Sequence, residues 1–218
     1  MSEHIDSLRH QGMRKQLVEI LRQKGIADER VLNAIGKIPR HLFGFAPEFA
    51  HRAYEDTAFP IAAGQTISQP YTVAYMTELL ELKGGEKILE AGTGSGYQAA
   101  VLATMGMKVF TIERQKDLFD ITTPLLKKLG FDSIQTFYGD GYEGLPDEAP
   151  FDGIIVTAGA AAFPEKLQSQ VRTGGKIVVP IGNETMQTMF CLTKMEDESF
   201  RQEALDVFRF VPFVKGKN

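Results

Sequence analysis

The chain has 218 residues, 43% of them hydrophobic and 24% charged, with 24 Lys and Arg against 28 Asp and Glu for a formal charge of −4. This is ordinary globular usage and enough chain for one substantial core. Disorder is excluded, and the lack of a long basic run argues against nucleic acid held through its phosphates. One cysteine (Cys191), four dispersed histidines and no stretch of 18 apolar residues give no disulfide, no metal-ligand spacing and no membrane span.

The first twenty residues contain no uninterrupted apolar run and no small-residue cleavage site, so they do not read as a secretory signal, and a cytoplasmic monomer is expected. Met13, Leu17, Ile20 and Leu21 recur at helical spacing, and Gly25 stands where that helix would stop. A second helix is expected from Asp28, a capping residue, through Val31, Leu32 and Ile35, ending before Pro39. Residues 41–69 hold glycines and prolines without a sustained period and predict a long irregular connection, a kind of segment that is usually functional. Within it, Asp56 is expected to stabilise a turn. Pro70 then suits the first turn of a helix carrying Val73, Met76, Leu79 and Leu80.

From Lys87 onward the pattern changes. Short apolar runs at 87–92, 108–114, 135–140, 151–159 and 175–182 predict buried strands, and 95–105, 115–129 and 163–172 suit helices between them. Such alternation predicts a parallel sheet covered on both faces. The stretch "MFCLTKMEDESFRQEALDVFRFVPF" reads as two longer strands around a charged turn, an antiparallel C-terminal pair at the sheet edge, with Cys191 as a buried small hydrophobe. The expected fold is α/β: a doubly wound, mostly parallel seven-stranded sheet with helices on both faces. Residues 1–60 form a helical N-terminal extension packed on it, and 61–218 form the core unit.

"ILEAGTGSGYQAA" (88–100) is a strand, a glycine turn and a helix start. Gly92, Gly94 and Gly96 allow a sharp turn and close approach of a ligand to the backbone. Tyr97 occupies the position where a dinucleotide fingerprint would need its third glycine, and no Gly-Lys-Ser/Thr follows, which disfavours a nicotinamide, flavin or P-loop site. Glu113, 21 residues beyond Gly92, stands at the next strand end, where a carboxylate can accept from both ribose hydroxyls of an adenosine ligand. Asp140, in "GDG" at the third strand end, is placed to receive an adenine amine. Each feature alone also fits a turn of any doubly wound sheet; on consecutive strand ends they point to a nucleoside.

A glycine loop without a phosphate cradle, plus a ribose acid, resembles the S-adenosylmethionine-dependent methyltransferases. A more specific resemblance lies in "PRHLF" (39–43), "AYEDTAFPIAAGQTISQPYTVAYMTELLEL" (53–82), the glycine loop, "GDGYEGLPDEAPFDGIIVTA" (139–158), "GGKIVVPIG" (174–182) and "RFVPFVKG" (209–216). Together these are similar to the protein-L-isoaspartate O-methyltransferases over nearly the whole chain, and "GQTISQPY" (64–71) is the most diagnostic block. Departures are Ala91, where a larger aliphatic is common, and "FGFAP" (43–47) in place of a Phe-Val-Pro pattern.

The resemblance implies transfer of a methyl group from S-adenosylmethionine to the free α-carboxylate of L-isoaspartyl residues in damaged proteins and peptides, with no metal. A carboxylate of pKa about 4 is already ionised at neutral pH, so no general base is needed. By the same resemblance Ser68 is the active-site hydroxyl that orients the carboxylate, although Ser before Pro commonly caps a helix and both roles are compatible. Thr66, Ile67 and Gln69 would shape the substrate pocket, and Tyr71 would lie over the cofactor or pack in the core. Gly92 and Gly94 would meet the methionine part of the cofactor, with Ser95 and Gly96 opening the helix; Glu113 would hold the ribose, and Asp140 with Gly141 would face the adenine. Val211, in "RFVPF" (209–213), would line a peptide groove or belong to an ordinary terminal strand. Gln187 would be a solvated loop residue or reach the methionine end. The competing readings are a methyltransferase of the same sheet acting on a small-molecule carboxylate, a non-catalytic module binding cofactor or aged peptides, and, more weakly, a nicotinamide dehydrogenase.

Overall fold

A computed structural model of the chain describes residues 6–46 and 48–218; His4 and Pro47, both noted in the sequence, lie outside them. Helix α1 (Leu8–Gln23) starts at Ser7, whose side chain accepts from the His10 amide at 3.3 Å. It buries Leu17 and Leu21 but leaves Ile20 exposed. The stripe is narrower than expected because Arg14 turns inward instead, donating to Asp6, the Gly36 carbonyl and Tyr54 OH. Helix α2 (Glu29–Lys37) is capped by Asp28, which accepts from Arg30 N at 2.8 Å, and buries Val31, Leu32 and Ile35 as the period requires.

The connection holds 3-10 turns and one small antiparallel ribbon, β1 (Phe59–Pro60) against β2 (Thr66–Ile67). The expected boundary at residue 60 runs between these two strands, and the apolar core is continuous across it, from Leu17 and Ile35 through Phe59 and Ile67 to Ile88. Helix α3 (Pro70–Leu79) follows, with Pro70 at its first position and Val73 and Met76 buried.

The remaining elements are β3 (Lys87–Ala91), α4 (Tyr97–Thr104), β4 (Lys108–Glu113), α5 (Lys116–Lys128), β5 (Gln135–Tyr138), β6 (Phe151–Val156), α6 (Glu165–Gln168), β7 (Val171–Gly182), β8 (Gln187–Lys194) and β9 (Phe200–Phe208). They form a seven-stranded sheet in the order β5-β4-β3-β6-β7-β8-β9, parallel from β5 to β7, with β8 antiparallel to β7 and β9 antiparallel to β8. Alternate strand residues serve opposite faces. Ile88, Val109, Ile155 and Val178 pack under α1 to α4, whereas Leu89, Phe110, Ile154 and Ile177 pack with Leu167 of α6, Phe163 and Phe213.

The helix expected at 163–172 is shorter than predicted: α6 has four residues, and the chain enters β7 at Val171. Two contacts explain this. Phe151 N donates to the Gln170 carbonyl at 2.8 Å, drawing the chain into the sheet early. The Gln170 side chain then satisfies Leu145 N, the Glu143 carbonyl and the Lys166 carbonyl, replacing a further helical turn.

Chain order runs outward from β3 through β4 to β5 and then returns to the other side of β3 at β6. The point where the order reverses, at the carboxyl ends of β3 and β6, is where open sheets of this kind bind ligands.

Candidate active site

The glycine turn sits at that switch point, and its glycines are needed. Gly92, Gly94 and Gly96 have φ of +105°, +52° and +81°. A side chain at Gly92 would also meet Thr157 Oγ1 at 2.5 Å, and one at Gly96 would meet Leu126 and Thr122 at 2.9 Å. The turn is held from both flanks: Thr157 donates to the Gly92 carbonyl at 2.6 Å and Thr122 to the Gly94 carbonyl at 2.7 Å. Gly96 caps α4 in the left-handed region, and Ser95 Oγ accepts from Tyr97 N at 3.3 Å.

Glu113, 4% exposed at the end of β4, accepts from Gly94 N at 2.9 Å and Gln115 N at 2.8 Å, which locks it beside the turn. Each carboxylate oxygen retains a lone pair for a further donor. Gly92, Gly94, Ser95, Glu113 and Gly141 all line one cleft, whose far wall carries Ser68, Thr66 and Val211.

The Asp140 carboxylate, beside Gly141, accepts from Tyr142 N at 2.9 Å with one oxygen and from Gly216 N at 2.6 Å with the other, and each oxygen keeps a lone pair, as in Glu113. Of the two readings of Tyr71, the structure shows core packing: it is half-buried against the core beside a second cavity, in a ring cluster with Tyr75 and Phe208. Two sequence expectations, those for Ile67 and Gln187, are corrected by position. Ile67 is 1% exposed and belongs to the core, because the alternation of β2 turns Thr66 outward and Ile67 inward. Gln187 is likewise no loop residue; it is buried at the start of β8 and accepts from Phe210 N at 2.8 Å.

The segment after β9 leaves the sheet. Val211 accepts from Gly159 N at 2.8 Å and Phe213 N donates to Gly159 O at 2.7 Å, so 211–213 runs alongside Gly159 rather than extending the edge strand. It then crosses the strand ends as a strap. Phe213 stacks on Tyr142 with ring centroids 4.2 Å apart, Arg114 donates to the Gly216 carbonyl at 2.9 Å, and Asn218 bonds Arg114, Lys116 and Tyr138.

Sequence reading missed Glu90. It is fully buried on the central strand β3, lines the cleft, and accepts from Thr111 Oγ1 at 2.6 Å with Oε2, while Oε1 has no partner. Burial, helped by the nearby Glu113 charge, pushes its pKa up to about 8 against the opposing Thr111 bond. Its one signal was a carboxylate interrupting an otherwise apolar run, "KILEAG".

Ser68 does not cap α3. The N-cap residue is Gln69, without a side-chain cap bond, and Tyr71 N is satisfied by Asp56 Oδ1 at 2.8 Å. Asp56 also accepts from Lys24 Nζ at 2.6 Å and Gln69 Nε2 at 3.2 Å, so it anchors the helix start from fifteen residues upstream rather than a local turn. Ser68 instead lines both the cofactor-side cleft and the second cavity, together with Thr66, Thr157 and Val211.

The histidines are less dispersed than the sequence suggests. The His10 and His41 rings meet at a tilt of 33° with centroids 3.9 Å apart, and with Asp6 they bring three possible metal-ligand atoms within 4.8 Å of one another. Both Asp6 oxygens accept from Arg14, at 2.9 and 2.8 Å, and Tyr54 OH lies 2.7 Å from His41 Nδ1. Burial, with His10 nearby, lowers His41 to about 4, so a neutral imidazole sits in a polar network tying α1 to the connection. His51 is exposed.

A cleft at the switch point that offers buried acids to its ligand, without a lysine-bearing phosphate loop, suits a nucleoside, and the chain's family match makes the class an S-adenosylmethionine-dependent methyltransferase. Comparison with known proteins narrows it. The chain belongs to the protein-L-isoaspartate(D-aspartate) O-methyltransferase family, whose sequence model matches residues 12–218. A protein-L-isoaspartate O-methyltransferase of Christiangramia forsetii is 54% identical over 213 residues, covering 98% of this chain and 99% of that protein. A solved protein-L-isoaspartate O-methyltransferase superposes with a TM-score of 0.83 at 30% identity, covering 91% of this chain and 65% of that one. A Plasmodium falciparum protein assigned to the same family, solved with S-adenosyl-L-homocysteine, gives a TM-score of 0.78 at 27% identity and covers 93% and 98% of the two chains. Among the described residues, no helix is long and apolar enough to cross a membrane.

Proposed function

We propose that this enzyme methylates the free α-carboxylate of L-isoaspartyl residues in damaged proteins and peptides. The observation that carries this reading is the shared wall of the two cavities. Thr66, Ser68, Thr157 and Val211 border both, and none of them titrates near neutral pH. That is a wall suited to an acceptor that arrives already ionised, as a carboxylate does.

When bound, S-adenosylmethionine supplies a methyl group on a positively charged sulfonium. The chain's residues fit such a group. Gly92 and Gly94 let main-chain atoms come close, and the unpartnered Glu90 Oε1 is a buried acceptor for a cationic ammonium. The free lone pairs of Glu113 suit ribose hydroxyls, and Gly141 and the Phe213 ring packed against it line the same cleft, where the base would lie. Asp140 holds Gly216 N of the roof and, like Glu113, keeps a lone pair on each oxygen, which suits an adenine amine.

On the acceptor side, the Ser68 hydroxyl is spared from capping and donates to the carboxylate, holding it in line. Orientation and exclusion of water then carry the rate; ideal alignment alone can contribute roughly 7–11 kcal/mol. The second cavity continues from this wall along Tyr71, Phe208 and Arg209, which supports a peptide rather than a small-molecule acceptor. A cytoplasmic monomer remains part of this reading, and sedimentation of the purified enzyme tests its size.

The decisive experiment supplies radiolabelled S-adenosylmethionine with matched L-isoaspartyl and L-aspartyl peptides and measures base-labile methyl ester. Labelling of the isoaspartyl peptide alone is expected. Equal labelling, or none, would overturn the proposal. Ser68→Ala should lower turnover while cofactor affinity stays within a few-fold; collapse of cofactor binding would make Ser68 structural.

A further inference from the structure

Arg40 is 0% exposed, and among the described residues no carboxylate pairs with it. An ionised side chain in that position is costly unless something replaces its water and its counter-ion. Here two things do. Three aromatic rings surround the guanidinium, with Phe45, Tyr97 and Phe59 centroids 5.0, 5.5 and 6.0 Å from Cζ. Three backbone carbonyls accept from it: Ala53 from Nη1, and Thr57 and Ser68 from Nη2 at 3.2 and 2.9 Å. Burial lowers its pKa only to about 10, so it keeps its charge at neutral pH.

The acceptors are what make this more than core filling. All three belong to one irregular connection, at positions 53, 57 and 68, and the last is the carbonyl of Ser68 itself. That connection has little regular structure of its own beyond the two-residue strands β1 and β2. Fixing the Ser68 carbonyl fixes the peptide plane between Ser68 and Gln69. On the other side of Ser68 the chain is held by the pairing of Ile67 with Phe59 in the β1–β2 ribbon. With the backbone fixed on both sides of its Cα, the Ser68 side chain leaves the chain in a set direction. On its opposite flank Arg40 touches the ring of Tyr97, which opens α4 and lines the cofactor cleft. A planar fork can serve three carbonyls at once; a lysine ammonium cannot hold the same geometry.

We infer that Arg40 is a positioning residue for methyl transfer, clamping the Ser68 segment against the wall of the cofactor cleft so that the hydroxyl meets the acceptor carboxylate in register. The inference rests on the role proposed above for Ser68. It is tested by a double-mutant cycle with Arg40→Lys in the wild-type and Ser68→Ala enzymes. Turnover of the isoaspartyl peptide is read alongside calorimetric affinity for S-adenosyl-L-homocysteine.

Displacement of a positioned group by about 1 Å costs on the order of 100-fold. Arg40→Lys should therefore lower kcat roughly 100-fold in the wild-type background and by about threefold or less once Ser68 is gone, with cofactor affinity unchanged within a few-fold. Equal losses in both backgrounds, or a parallel loss of cofactor binding, would overturn it. Should the lysine variant not fold, the same cycle is run with Phe45→Leu, which keeps every carbonyl bond and loosens only the aromatic housing. Loss of turnover confined to the Ser68-containing background is again expected, and equal losses again overturn the inference. The wild-type enzyme with isoaspartyl and aspartyl peptides is the control. If it fails to discriminate, the proposed reaction fails; if it discriminates and the cycle is additive, only the role of Arg40 fails.

Discussion

Glu90 stands in the middle of an apolar strand, and that setting hid it in the sequence. A strand-end acid such as Glu113 is legible because its distance from the glycine turn is informative. A mid-strand acid reads only as a break in an apolar run, until the fold shows one bare oxygen facing a cleft. Its raised pKa has a definite sign for stability. The folded protein holds the proton up to about pH 8, whereas an unfolded carboxyl loses it near its ordinary value of 4.5. Stability from this group is thus complete below 4.5 and falls as pH rises toward 8, by on the order of a few kcal/mol. Glu90→Gln should flatten that slope in denaturant titrations between these pH values. Binding of the cationic cofactor end should favour ionised Glu90 and expel about one proton at neutral pH, by linkage. Calorimetry of S-adenosyl-L-homocysteine in buffers of different ionisation enthalpy checks this; an unchanged proton count in Glu90→Gln would remove Glu90 from the cofactor site.

At the scale of elements, the start of α3 is built by residues that local sequence could not connect. Pro70 announced the helix, and Ser68 looked like its cap. The observed anchor is Asp56, from fifteen residues upstream, because the connection folds back through the β1–β2 ribbon. Tertiary reach decides which polar side chain meets a helix amide, and no spacing rule contains that information. The same limit explains Ile67 and Tyr71: neighbours of Ser68 in sequence, they go to the core and to the second cavity because strand alternation and helix phase separate them. Loss of a helix cap costs about 0.5–2 kcal/mol, and Asp56 also receives Lys24 and Gln69. Asp56→Ala should destabilise by about 2 kcal/mol in denaturant unfolding, and Asp56→Asn, which still accepts from Tyr71 N, by about half as much. Equal losses for the two would place the effect in the Lys24 pair instead.

For the whole molecule, the alternation of apolar runs and helical stretches made the doubly wound sheet legible, and the paired terminal runs marked the antiparallel edge. The path of 209–218 was not legible, because a segment that leaves its sheet to lie across the other strand ends carries no periodicity. That strap joins β9 at one edge to β4 and β5 at the other, and Phe213 closes the cleft from above. Truncating an aromatic anchor of this kind typically costs about 2 kcal/mol of binding. Phe213→Ala should therefore weaken S-adenosyl-L-homocysteine binding by roughly 30-fold with little change in unfolding midpoint. Unchanged affinity would show that the roof is dispensable. The strap also sets an order of assembly on the ribosome. Residues 209–218 are synthesised after every element they cover, so the nascent protein can complete its central strands while its cofactor pocket is still roofless. The pocket gains the wall that Phe213 supplies only when that segment lies across the sheet.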